Sequence, residues 1–191
     1  MTTERQKMDV DIVCTGFGPA TAGFLNTLTR AMQQDPTAEH FQSKVMPGMP
    51  LQVICYERAD DLGFGVSGVV TKGRSIRKSI PNLDPAQIPM AVPVTQEKVL
   101  YLLDPIGASR RSLAMRAADK MVRAMKWALP FQDDAVELPI TPAFLHKKGG
   151  LILSMGQFNQ WVGAQLMSTG TVQIWPGTPV AKVVIEEGKV K

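Results

Sequence analysis

Residues 10 to 23 read VDIVCTGFGPATAG, and a second apolar run, LQVICYE, ends on Glu57. Two glycines, a helix start and a carboxylate in this order suit a nucleotide diphosphate and its ribose. Gly16 lets the chain turn sharply as a strand ends. Gly18 has no side chain, so a pyrophosphate can approach the backbone. Pro19 suits the first helical turn, where its missing N–H costs nothing. The free amides of that turn and the helix dipole favour the diphosphate. Glu57 is set to accept hydrogen bonds from a ribose diol. Two positions depart from the usual pattern: Thr21 stands where a third glycine is common, and Phe17 where a small residue is. Both are expected to crowd the phosphate.

The elements that must position these residues follow from local pattern. Val10, Ile12 and Val13 form a short apolar run with no helical period, as in a buried parallel strand. A helix is expected from Pro19 to about Met32, then a polar, proline-punctuated loop to the second strand. Cys14 and Cys55, the only cysteines, fall in neighbouring core strands and are expected to be buried, reduced thiols. Two cysteines cannot hold a four-cysteine iron–sulfur cluster. His40 and His146 lack ligand spacing and are read as solvated or structural.

Composition sets outer bounds. The 191 residues are 45% hydrophobic and 20% charged, enough for a sizeable core and against general disorder. A net charge of +4 is too mild to argue for nucleic acid. No stretch of about 20 apolar residues is present, and MTTERQKMDVD lacks the apolar centre of a signal peptide, so a cytoplasmic location is expected.

Further along, Gly63, Gly65 and Gly68 make ERADDLGFGVSGVVTKGRSIRKS a loop able to approach a ligand closely. Val92 to Val94 and Lys98 to Leu103 look extended, as strands of a second sheet. Ala114, Ala118, Met121, Val122, Met125 and Leu129 then share one helical face, with Arg110, Arg111, Arg116, Lys120, Arg123 and Lys126 on the rest. Such a helix can lie on an anionic membrane, bind a partner, or pack on its own protein; the last is commonest and is expected here. A turn at Lys148–Gly150, a strand from Leu151, a helix bearing Phe158, Trp161, Val162 and Leu166 and stopping at Gly170, and strands at 172–175 and 180–185 follow. Glu186-Glu187-Gly188 starts a hairpin whose returning strand is cut short, so a fragment or split subunit is expected.

These segments resemble the N-terminal third of electron transfer flavoprotein–ubiquinone oxidoreductase and, more loosely, the geranylgeranyl reductase flavoproteins. The likeness runs through DIVCTGFGPATAG, VICYERADDLGFGVSGV, PMAVPVTQEKVLYL and GGLILSMGQFNQWVGAQLMSTGTVQIWPGTPVAKVVIEEGKV. Residues 104 to 130, the basic helix, look like an insertion or a divergent stretch. The resemblance implies an α/β, Rossmann-type FAD/NAD(P)-binding fold with the start of a second β-rich part. Residues 8–58 would be its first βαβ unit, 84–150 an inserted or substrate-side segment, and 151–191 the return to the FAD domain.

By the same resemblance, Gly16, Gly18, Pro19 and Ala20 would hold the FAD pyrophosphate, with Thr21 in the third glycine's position. Glu57 would hold the adenosine ribose, with Arg58 beside it. Ser67 and Gly68 would lie near the flavin, and Val180 where the adenine is bracketed. Ser154 stands where the family commonly has an arginine that reaches the cofactor. The implied partners are electron transfer flavoprotein and a membrane quinone, with peripheral membrane association. A [4Fe-4S] cluster would come only from a missing C-terminal region or a partner subunit, which would also complete the FAD site. The ADP site alone does not separate FAD from NAD, so an NAD(P)-dependent dehydrogenase stays open. So does a non-catalytic nucleotide-binding module that serves assembly.

Overall fold

Three parallel strands form the frame that carries the glycine turn. In the computed structural model, residues 7–35, 37, 39–64, 68–103, 111–129, 131–132 and 134–190 are described. In chain order the elements are β1 (Ile12–Thr15), α1 (Pro19–Gln34), β2 (Val53–Tyr56), β3 (Gly68–Thr71), α2 (Arg74–Ser79), β4 (Val92–Pro93), β5 (Leu100–Leu102), α3 (Leu113–Ala124), β6 (Phe131–Gln132), β7 (Ala135–Glu137), β8 (Leu151–Ser154), α4 (Met155–Ser168), β9 (Val172–Trp175), β10 (Ile185–Glu186) and β11 (Lys189–Val190). The chain divides into two units, residues up to Pro93 with those from Gly150 onward, and residues Val94–Gly149.

In the first unit β2 lies between β1 and β9, all parallel. Val53, Ile54 and Cys55 are buried because β2 is the central strand. Cys14 lies directly opposite Cys55, and both thiols are free. Burial is the main force pushing the Cys55 thiol up to about 12, so it is not a nucleophile at neutral pH. A separate antiparallel sheet has the order β3-β8-β4. The core joins Leu25 of α1, Cys55, Leu153, and Val162 and Leu166 of α4. Asp11 ties the loop before β2 to the start of β1. Its carboxylate accepts from the Lys44 amide at 2.7 Å and the Gln52 amide at 2.9 Å. The Gln52 amide first, then the Ser43 hydroxyl, holds this carboxyl at about 2.

The second unit carries β5-β7-β6, an antiparallel sheet, with α3. The two extended stretches expected to share one second sheet are thus split. Val92 and Pro93 pair with β8, whereas Leu100–Leu102 pairs with β7. The 57–79 stretch, expected as a loop, contains β3 and α2; Val69 and Ile76 supply partly buried apolar anchors that a free loop would lack. The strand expected over 180–185 reduces to Ile185–Glu186, because Val183 and Val184 are exposed and have no pairing partner among the described residues. That strand pairs with Lys189–Val190 across Glu187 and Gly188, both at positive φ.

Two truncations separate core from surface. Leu25→Ala removes a fully buried side chain and is expected to cost about 3 kcal/mol of unfolding free energy. Leu113→Ala, at a residue 82% exposed, is expected to change it by less than about 0.5 kcal/mol. Urea titrations of both variants check the contrast.

Candidate functional site

The glycine turn and Glu57 meet at the carboxyl ends of β1 and β2. Gly16 sits at φ +83°, a backbone state that L side chains rarely adopt. Its amide donates to the Tyr56 carbonyl at 2.7 Å, extending the β1–β2 ladder by one rung. The Phe17 amide then donates to Glu57 Oε2 at 2.6 Å, while Glu57 Oε1 accepts from the Ala59 amide at 2.9 Å. The Glu57 main chain is bracketed as well: its amide donates to the Trp175 carbonyl, and its carbonyl accepts from the Thr178 amide. The carboxylate is therefore fixed at the lip of the turn.

Partial burial works against ionisation of Glu57. The Ala59 and Phe17 amides and the Arg58 charge outweigh it and hold the carboxyl below its ordinary value. Each carboxylate oxygen keeps a lone pair beyond the one engaged.

Gly18 is the N-cap of α1 and Pro19 is its first residue. No side chain caps this end, so the first-turn amides, those of Ala20 and Thr21 included, are presented outward. A Cβ at Gly16 or Gly18 would meet nothing within 4 Å. Gly18, at φ −94°, is under no backbone constraint to be glycine. Packing does not require a bare backbone there; an anion seated on the turn would. By this test the residues fit a diphosphate.

Contrary to expectation, the Phe17 ring does not lie over the glycine turn. Its ring is 2% exposed and points into the core. A Cβ on Gly163 of α4 would lie 3.4 Å from that ring and 2.4 Å from Leu62. The missing side chain of Gly163 thus makes room for Leu62, with the Phe17 ring in ordinary contact beside it. Sequence reading missed this partner; its signal was a glycine inside an otherwise apolar helical pattern. Thr21 is half-buried on α1.

The remaining candidates are less gathered. Arg58 is exposed beside Glu57. Gly68 begins β3 opposite Ser154, the N-cap of α4. Met155, the next residue, lines the same groove as Pro19 and Ala20. That groove, about 570 Å³, also takes in Ile76 and Phe158 and, among the described residues, has no charged side chain in its lining. Ser67 and Gly65 lie outside the described residues. Gly63 is backed by Gln160, whose amide donates to Asp61 at 2.7 Å, so no ligand approaches there without moving Gln160. Val180 is exposed in the irregular segment after β9.

A larger cavity, about 660 Å³ and lined by Met8, Met32, Gln52 and Thr171 among others, opens at the amino ends of the parallel strands. Ligands of open α/β sheets sit outside the carboxyl ends, so the smaller site is the candidate. Among the described residues, no group of three or more metal-type ligands comes together, and no helix is long and apolar enough to cross a membrane.

A glycine turn at the carboxyl end of a parallel strand, facing an acidic residue on the next, is the arrangement by which many α/β proteins hold a nucleotide. Comparison with known proteins narrows the likeness to the flavoprotein–quinone oxidoreductases. The "probable electron transfer flavoprotein-ubiquinone oxidoreductase" of Acinetobacter baylyi is 26% identical over 194 residues, covering 100% of this chain and 27% of its own. Electron transfer flavoprotein-ubiquinone oxidoreductase of Pseudomonas aeruginosa is 24% identical, covering 98% of this chain and 27% of its own. The mitochondrial enzyme of Dictyostelium discoideum is 25% identical, covering 96% and 23%.

This chain thus spans about a quarter of the length of the curated relatives it matches. No family model matches it. Among solved structures, a geranylgeranyl bacteriochlorophyll reductase-like protein from Thermoplasma acidophilum has a TM-score of 0.48 at 14% identity, covering 95% of this chain and 33% of that one.

The Glu57 bonds set a pH dependence. A carboxyl held below its ordinary 4.5 contributes stability that is present above that pH and lost as pH falls through the folded value. Glu57→Gln keeps one acceptor and loses the charge. Wild type is expected to be the more stable at neutral pH, and the difference is expected to shrink below about pH 4.5. Thermal melts at several pH values check it.

Proposed function

We propose that this chain is the FAD-binding portion of an oxidoreductase related to electron transfer flavoprotein–quinone oxidoreductase. The observation that carries the reading is the Phe17 amide bonded to Glu57 at the lip of a bare glycine turn. The sheet order, with β1 first, β2 beside it and β9 outermost, supports a Rossmann-type assignment. The resemblance along the whole chain favours FAD over NAD(P).

In this reading Gly16 and Gly18 leave room for the pyrophosphate, and the Ala20 and Thr21 amides donate to it. Glu57 accepts from the adenosine ribose, with Arg58 balancing charge at the rim. Val180 lies toward the adenine, and Ser67 and Gly68 toward the flavin end. Among the described residues no charged side chain lines the adjoining groove, so in this reading the diphosphate relies on backbone amides and the helix dipole. When bound, the flavin supplies the electron-transfer chemistry, and the protein supplies position and electrostatics.

A further segment of the protein, or a partner subunit, completes the FAD site and carries any [4Fe-4S] cluster. Electron transfer flavoprotein as donor, a membrane quinone as acceptor and a peripheral place at the membrane come with the same reading. The three domain segments, 8–58, 84–150 and 151–191, belong to it too.

Natively purified protein, or protein given FAD, is expected to show flavin absorbance and to release FAD on denaturation. Glu57→Ala is expected to weaken FAD binding by about ten- to a hundredfold, the worth of hydrogen bonds to a charged group at about 1.5–3 kcal/mol. A folded wild-type chain that takes up no FAD, alone or joined to its downstream region, overturns the reading.

A further inference from the structure

The three helices that wall the groove beside the glycine turn are free of acidic residues. α1, α2 and α4 hold not one Asp or Glu, although the chain has 17. They hold Arg30, Arg74, Arg77 and Lys78, and Lys72 stands just before α2. With these five cations set aside, the chain carries 21 − 5 = 16 basic residues against 17 acidic ones, so its positive net charge belongs to this side of the first unit. The cluster is tied together by contact. Arg30 donates to the Lys78 and Ser79 carbonyls, each at 3.4 Å, and Arg77 donates to the Lys72 carbonyl at 2.9 Å. Among the described residues none of the five meets a carboxylate, whereas Lys98, Arg111 and Arg123 each do. Like charges gathered without a counter-charge repel one another, and an anionic partner relieves that repulsion. At about 100° per residue, Ser75, Ile76, Ser79 and Ile80 turn to the groove, and Arg74, Arg77 and Lys78 fall on the opposite side of α2. Phe24 of α1, 48% exposed, stands at the groove's lip.

We propose that α1 and α2 form a docking surface for an acidic protein partner, which seats an apolar side chain in the groove and lays carboxylates over the outer side of α2. An apolar centre with charge around it, arginine prominent, is the anatomy of a protein–protein interface. The cations fix the chemistry of the occupant. They lie across the outer side of α2 and at its two ends rather than converging into the groove, so a small anion meets one or two of them. An extended acidic surface meets all five together with the groove. A flat bilayer would leave the concave apolar part unfilled. A second copy docking through the same face would bring like charges together. Charge of this kind steers the encounter and sets its salt dependence, while the anchor in the groove holds the complex. None of the five cations is assigned to the nucleotide, so the proposal does not rest on the FAD reading.

The test is binding of the full chain to a labelled helical peptide that carries leucines on one face with glutamates flanking them. A twin peptide has lysines in place of the glutamates. Fluorescence anisotropy reads affinity, and amide-resolved NMR reads location. The glutamate peptide is expected to bind at least tenfold more tightly than its twin, to weaken as salt is raised, and to shift amides of α1 and α2, those of Phe24 and Ile76 among them. Arg74→Glu/Lys78→Glu, which changes only exposed charges, is expected to bind it at least tenfold more weakly with unchanged circular dichroism. Phe24→Ser removes the apolar lip, is expected to weaken binding severalfold, and serves if the charge variant misfolds. Equal binding of the two peptides, undiminished binding to a folded charge variant, or shifts centred outside α1 and α2 would overturn the proposal. So would displacement by inorganic phosphate, or self-association or binding to phosphatidylserine vesicles through this face in place of peptide binding.

Discussion

One hydrogen bond organises the candidate site: the Phe17 amide to the Glu57 carboxylate. It joins the turn after β1 to the end of β2, the two places where an open parallel sheet leaves backbone groups unpaired. It depends on the carboxylate remaining ionised, which the Ala59 amide and Arg58 favour against partial burial. It also requires the Phe17 side chain to leave through the other side of the turn, into the core. The ring packs there in the core, beside Leu62 and the bare backbone of Gly163.

The same constraint explains why the site is at one end of the sheet. The Gly16 amide continues the β1–β2 ladder, and the Glu57 main chain continues the β2–β9 ladder. The carboxyl edge of the sheet is thus drawn tight just where α1 begins. Helix dipole, uncapped amides and a fixed acceptor then converge on one open space. At the opposite edge a larger cavity has no comparable convergence; Asp11 is consumed there in holding a loop. Size alone would have pointed to the opposite end.

Much of this was legible in the sequence because the signals are local. The strand, the glycine turn, Pro19 and the carboxylate on the next strand are each fixed by backbone stereochemistry and short-range pattern. Gly170, Lys148–Gly150 and the Glu187-Gly188 turn were readable for the same reason. What was not legible depends on partners distant in sequence. Phe17 was expected to obstruct, because nothing near it reveals Gly163. Gly63 was read as access to a ligand, because nothing near it reveals Gln160. The α3 periodicity was correctly seen, but periodicity does not say which face docks. Val122 and Leu129 line an apolar groove with Tyr101 and Val136, and the contacts of Tyr101 and Arg111 with Asp119 beside it span two elements and a turn.

The measurement that tests the central claim most directly is an amide-resolved NMR titration of the chain with ADP. ADP carries the groups that this reading assigns to Gly16, Gly18 and Glu57, and every residue assigned to them lies within this chain. The account predicts saturable shifts concentrated at residues 16 to 21 and 57 to 59, with the Phe17 amide among the largest. It also predicts that Glu57→Gln weakens them while the cavity at Met8 and Thr171 stays unmoved. Shifts centred on that opposite cavity, or none at residues 16 to 21 in a folded chain, would contradict it.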